Sequence, residues 1–247
     1  MFRAIRSLER GALPRVDGLV YVSEWGRDAV LSWCPEAATV PSVVIRNFVA
    51  PLDIDHRPAP IADLVSVGNL EAVKNHRYLL EVLANAKQAG RPYTMDIFGG
   101  GPLRKDLQEL IRSLGLEQQV RLRGFCADVR ESLPGYLACV HASYSESLPL
   151  AIIEAMAAGL PVVAAASGGV AELFDDGVEG RLWPLDDPDQ AAAILIALMD
   201  DEEKRSLAGA AALARFRRDF DAEVTAPRLL SFVMDPDPAF AGSHSRS

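Results

Sequence analysis

The chain has 247 residues, 49% of them hydrophobic and 24% charged, and a formal net charge of −9. That composition fits a globular protein with one sizeable core and part of a second, and the acidic balance argues against nucleic acid as a partner. The longest apolar runs, such as 191–199, fall well short of the ~20 residues that span a bilayer. The opening M-F-R-A-I-R-S-L-E-R lacks the apolar core of a signal peptide, so a cytoplasmic location is expected. Cys34, Cys126 and Cys139 have no metal-ligand spacing and the four histidines form no His-x-x-x-His pair, so no metal or cofactor is expected.

Residues 1–50 read as an amphipathic helix (2–13), a strand (18–23), a helix (24–33) and a second strand (42–46). One β-α-β unit cannot bury both faces of its sheet, so it needs neighbouring strands or another domain. Residues 51–60 are Pro-rich and polar, as a linker is. Asp53 and Asp55 form an Asp-x-Asp triplet, but no apolar strand precedes and aims it, so both read as solvated. From residue 61, strands at 62–67, 93–98, 120–123, 138–141 and 161–165 alternate with helices at 76–89, 103–114, 129–133, 150–158 and 170–175. A short strand at 180–184, a helix capped by Asp186-Asp187-Pro188 and helices at 202–216 and 222–233 follow, and 235–247 reads as a disordered tail. The pattern is α/β: a Rossmann-like parallel sheet with helices on both faces. Ligands of such sheets lie beyond the carboxyl ends of the strands.

The loops after those strands carry the candidate chemistry. Gly68-Asn69-Leu70-Glu71-Ala72-Val73-Lys74-Asn75 is no Walker A loop, yet a lysine there can neutralise a diphosphate as well as sit in solvent. Gly99-Gly100-Gly101 is a tight turn or a place where a ligand meets backbone. Phe125 and Cys126, after Arg123-Gly124, can pack in the core. Ser145 to Pro161 organises the rest: Glu146 in a loop, a Ser cap, a Pro in the first turn, then an apolar helix carrying Glu154 and closed by Gly159. The free amides of Ser147, Leu148 and Leu150 at that helix start suit a phosphate, and the two flanking carboxylates suit hydroxyls. Gly168-Gly169 is a further turn or close approach.

The string A-S-Y-S-E-S-L-P-L-A-I-I-E-A-M-A-A-G-L-P-V-V, with seven residues between Glu146 and Glu154, resembles the signature of the retaining family-4 (group 1) glycosyltransferases of the GT-B fold. The resemblance covers most of 16–234 and implies a C-terminal donor-binding domain at 61–234, with 1–50 a remnant of the acceptor-side domain. It implies that Glu146 and Lys74 are catalytic, Glu146 on sugar hydroxyls and Lys74 on the leaving diphosphate. Gly68, Asn69, Gly99, Gly100, Phe125, Cys126, Ser147, Leu148, Leu150 and Glu154 would line the donor, with Glu154 on the ribose. Asn69 stands where the family has Arg, which removes a charge-assisted contact of ~1.5–3 kcal/mol unless Arg77 or Arg104 replaces it. The implied partners are a nucleotide sugar, a sugar, lipid or small-molecule acceptor, and a partner chain supplying an acceptor domain. A peripheral membrane contact stays open. The alternatives are a nucleotide-sugar-binding module without activity of its own and a nucleotide-sugar epimerase of related fold.

Overall fold

The computed structural model describes residues 11–53 and 58–236. Most of the expected helix at 2–13, together with Asp55 and nearly all of the 235–247 tail, lies outside the described residues. The chain first forms β1 (Leu19–Tyr21), α1 (Glu24–Trp33) and β2 (Ser42–Val44), the two strands pairing in parallel with Val20 opposite Val43. Ser23 starts α1 because its hydroxyl accepts the Gly26 amide at 3.0 Å.

A second sheet follows. Its strands are β3 (Leu64–Val67), β4 (Met95–Phe98), β5 (Val120–Gly124), β6 (Ala138–His141), β7 (Val162–Ala165) and β8 (Gly180–Trp183). Between and after them come α2 (His76–Gln88), α3 (Arg104–Ser113), α4 (Val129–Ser132), α5 (Leu150–Ala157), α6 (Pro188–Met199), α7 (Glu202–Asp219) and α8 (Ala222–Met234). All six strands are parallel, in the order β5-β4-β3-β6-β7-β8. The strand order reverses between β3 and β6. Crevices of doubly wound sheets open at such a reversal, so the loops after β3 and β6 flank the candidate site.

Alternate residues of each strand face opposite layers. Leu64, Met95, Ile97, Val140 and Val163 pack under Leu79, Leu83 and Leu195 of α2 and α6, while Val65 and Cys139 pack with Ala155 of α5 on the other face. Val162 continues that second layer toward Ile153 and Phe216 of α5 and α7. Asp96 interrupts the apolar run of β4 and is fully buried. Arg121 of β5, its register partner, grips its carboxylate through Nε at 2.6 Å and Nη2 at 3.2 Å, and the Tyr136 hydroxyl donates at 2.9 Å. The segment after β2 returns to the C-terminus: Val49 bridges Asp221, and Phe232 of α8 packs on Val43 and Ile45. Among the described residues no helix is long and apolar enough to cross a membrane.

Two local expectations are corrected. No helix forms over 170–175; residues Gly168–Glu172 make a 3-10 turn, with Gly168 at φ +62°. Ser147 does not cap α5. Pro149 holds the cap position in extended conformation, and no side chain caps that helix start.

Candidate functional site

The reversal in strand order brings together the side chains of two loops. Lys74 Nζ meets Glu146 Oε1 at 2.5 Å, with both side chains mostly buried. The same oxygen lies 3.1 Å from Nε2 of His141, the last residue of β6. Ser143 adds a buried hydroxyl that pulls on the carboxylate without closing a regular hydrogen bond. Burial pushes the Glu146 carboxyl up, but His141, Lys74 and Ser143 together outweigh it and hold the group down at about 2. Glu146 is therefore an anion at neutral pH. His76, behind this group, is neutral: burial, His141 and Lys74 lower it to about 4.

Beside the pair, the chain enters α5 with unused donors. Among the described residues the amides of Ser147, Leu148, Leu150 and Ala151 have no acceptor, because Pro149 supplies no hydrogen and the first cap bonds run from Ile152 and Ile153. An anion is the natural occupant of such a turn. Asn47 steadies it, donating to the Leu148 carbonyl at 2.7 Å. One turn into the helix, Glu154 is half-buried, and burial raises its carboxyl against an opposing pull from Arg130.

The turn is backed by glycines. The Gly169 amide donates to the Glu146 carbonyl at 2.9 Å, and a Cβ on Gly168 or Gly169 would fall 2.0 Å from the Glu146 carbonyl or 1.8 Å from that of Ser147. Both glycines thus support the loop from behind. Gly169→Ala is expected to displace the 146–147 segment and cost ~1–3 kcal/mol, seen as a lower melting temperature; unchanged melting would show that the loop yields freely.

Gly99 is required by packing, since a Cβ there would sit 2.0 Å from the Gly68 carbonyl, whereas Gly100 has open space around it. Gly68 lies along the Lys74 side chain. Phe125 is 85% exposed and Cys126 is exposed, so neither is a core residue. Asn69 is exposed. Of the two arginines expected to replace the missing charge, Arg104 is tied to the Leu122 carbonyl at 2.9 Å and Arg77 has no ionic partner among the described residues. His141, Ser143 and Asn47 were missed by sequence reasoning. A histidine ending an otherwise apolar strand, five residues before Glu146, was the available signal for the first.

These features define a Rossmann-like protein with a cation, an anion-receptive turn and two acidic side chains at the carboxyl edge of its sheet. The chain belongs to the group 1 glycosyl transferases: residues 58–215 match that family. It is 33% identical over 156 residues to the alpha-D-kanosaminyltransferase of Streptomyces kanamyceticus, covering 62% of this chain and 39% of that one. It is 32% identical over 191 residues to the amylovoran biosynthesis glycosyltransferase AmsK of Erwinia amylovora, covering 73% and 46%. The chain thus spans less than half the length of these curated relatives. Its fold matches that of Anabaena Alr3699/HepE, solved with UDP and glucose, at a TM-score of 0.83 and 23% identity over 95% of this chain and 68% of that one.

Proposed function

We propose that this chain is the donor-binding side of a retaining glycosyltransferase that takes its sugar from a nucleotide sugar. The observation that carries the reading is the row of unused amides at the start of α5 directly beside the Lys74–Glu146 pair. On this reading those amides hold the distal phosphate, Lys74 neutralises the diphosphate as it leaves, Glu146 binds hydroxyls of the transferred sugar and Glu154 binds the ribose diol. Gly100 and the exposed ring of Phe125 offer open surface for the rest of the nucleotide. The bond from the anomeric carbon to the phosphate oxygen breaks, the electron pair leaves with the phosphate, and the acceptor hydroxyl oxygen bonds on the same face as its proton passes to the departing phosphate oxygen. Stabilising that departing charge is the protein's main contribution. With Asn69 uncharged, the task falls on Lys74 and the helix start, and the reading calls for no metal or cofactor.

Calorimetry with UDP, GDP and ADP tests it. One of them should bind, and Glu154→Ala should weaken that binding about tenfold, the worth of a lost hydrogen bond to a charged group. Unchanged affinity in the variant would remove Glu154 from the site, and no binding of any of the three would remove the site. A second reading, a donor module working with a partner chain, is favoured by the two-stranded β1–β2 sheet with Val16 and Val20 exposed. Transfer from a labelled donor only after a candidate partner is added would select it.

A further inference from the structure

Between the first turns of α2 and α3 lies a cavity of about 240 Å³. It lies on the α2–α3 side of the sheet, whereas Glu154 and the free amides belong to α5 on the opposite side. Its volume is below the ~300–1,000 Å³ of pockets for drug-sized ligands, so it admits a single ring and not a nucleotide. Ala72, Leu103 and Leu107 give it an apolar lining, and Tyr144 adds an aromatic ring that is 59% exposed.

The polar groups in the lining are unspent. Arg77 and Asp106 make no hydrogen bond or ion pair among the described residues. Asn75 and His76, only 8% and 3% exposed, each carry a side-chain nitrogen with no partner. Buried polar atoms are nearly always satisfied, so two orphans in one wall call for an explanation. The charges of Arg77 and Asp106 offset each other, and burial keeps His76 neutral. That balance disfavours an anion, and the density of donors and acceptors disfavours a purely apolar guest. A neutral ring with several hydroxyls and one apolar face suits the Arg77 and Asp106 side chains together with the Tyr144 ring.

We infer that this cavity is a subsite for a neutral pyranose, separate from the place of the transferred sugar. It receives one unit of a carbohydrate acceptor or of the growing product; this last clause rests on the proposed function, while the sugar site itself does not. The Tyr144 amide donates to the Val73 carbonyl at 2.9 Å, tying the loop that carries Glu146 to the loop that carries Lys74. An occupant of the cavity therefore sits against both loops of the reaction centre.

The full chain, labelled with ¹⁵N and free of nucleotide, is titrated separately with D-glucose, D-galactose and N-acetyl-D-glucosamine. At least one should move the amide signals of Asn75, Arg77 and Tyr144 with a millimolar dissociation constant. Tyr144→Ala and Asp106→Asn, both at surface positions, should each weaken that effect about tenfold while UDP affinity stays at the wild-type value. No movement by about 50 mM of any of the three sugars, movement by inorganic phosphate in their place, or an effect that survives in both variants overturns the proposal. Sugar binding without binding of UDP, GDP or ADP would uphold the subsite and overturn the donor reading.

Discussion

Lys74→Ala should reduce sugar transfer by about 10- to 100-fold, the rate equivalent of one charge-assisted contact of ~1.5–3 kcal/mol. The lysine meets Glu146 Oε1 at 2.5 Å, so on the proposed reading its removal takes a cation from the leaving diphosphate, and it leaves a mostly buried carboxylate to His141 and Ser143. Glu146→Gln keeps the shape and removes the charge; because the two residues act as a unit, the double variant should lose far less than the product of the single losses. Stability follows the same pair. With the Glu146 carboxyl held at about 2 against an ordinary 4.5, its contribution is complete above pH 4.5 and is lost as pH falls toward 2. Without Lys74 the folded carboxyl moves back toward its ordinary value, so the loss below pH 4.5 should be smaller and end at higher pH. Melting curves between pH 6 and 3 check the shift, and a variant that transfers sugar at the wild-type rate removes Lys74 from the mechanism.

The second large effect concerns folding. Asp96→Ala should destabilise the chain by ~2–3 kcal/mol, because it opens a void in the core and strips a buried hydroxyl of its acceptor, while the half-exposed Arg121 guanidinium turns to water. The hydroxyl is that of Tyr136, which would lose its acceptor at 2.9 Å. Tyr136→Phe is the graded control, costing ~1 kcal/mol by deleting one hydrogen bond and no charge. Urea titrations of both variants measure the difference. Equal losses would mean that the tyrosine, and not the ion pair, holds β4 to its neighbours.

Much of the architecture was legible because burial on both faces leaves unbroken apolar runs: β6 begins and ends at the residues expected from the sequence, and so does α1, whose start is marked by the Ser23 cap and not by burial. The positions of Lys74 and Glu146 at strand ends were legible for the same reason. Features set by one loop pressing on another were not. Ser147 looks like a helix cap in one dimension, but its carbonyl packs closely against Gly169, where no side chain would fit, and Pro149 takes the cap position. The sequence 170–175 has helical composition, yet the left-handed Gly168 and the close approach of Gly169 to the loop leave room only for a 3-10 turn. The exposure of Phe125 is equally tertiary, since an aromatic after a strand is most often covered.

The carboxylate of Glu172 accepts the amides of Glu24 at 3.0 Å and Trp25 at 2.8 Å. It thereby joins α1 to the same 3-10 turn whose glycines brace the Glu146 loop. Tilting of the β1–α1–β2 unit would pull on that turn and reach Glu146 through residues 169–172 and the Gly169–Glu146 hydrogen bond, like a short crank. The first amides of α1 are already engaged by Glu172 and Ser23, so among the described residues the helix start left unoccupied at this junction is that of α5.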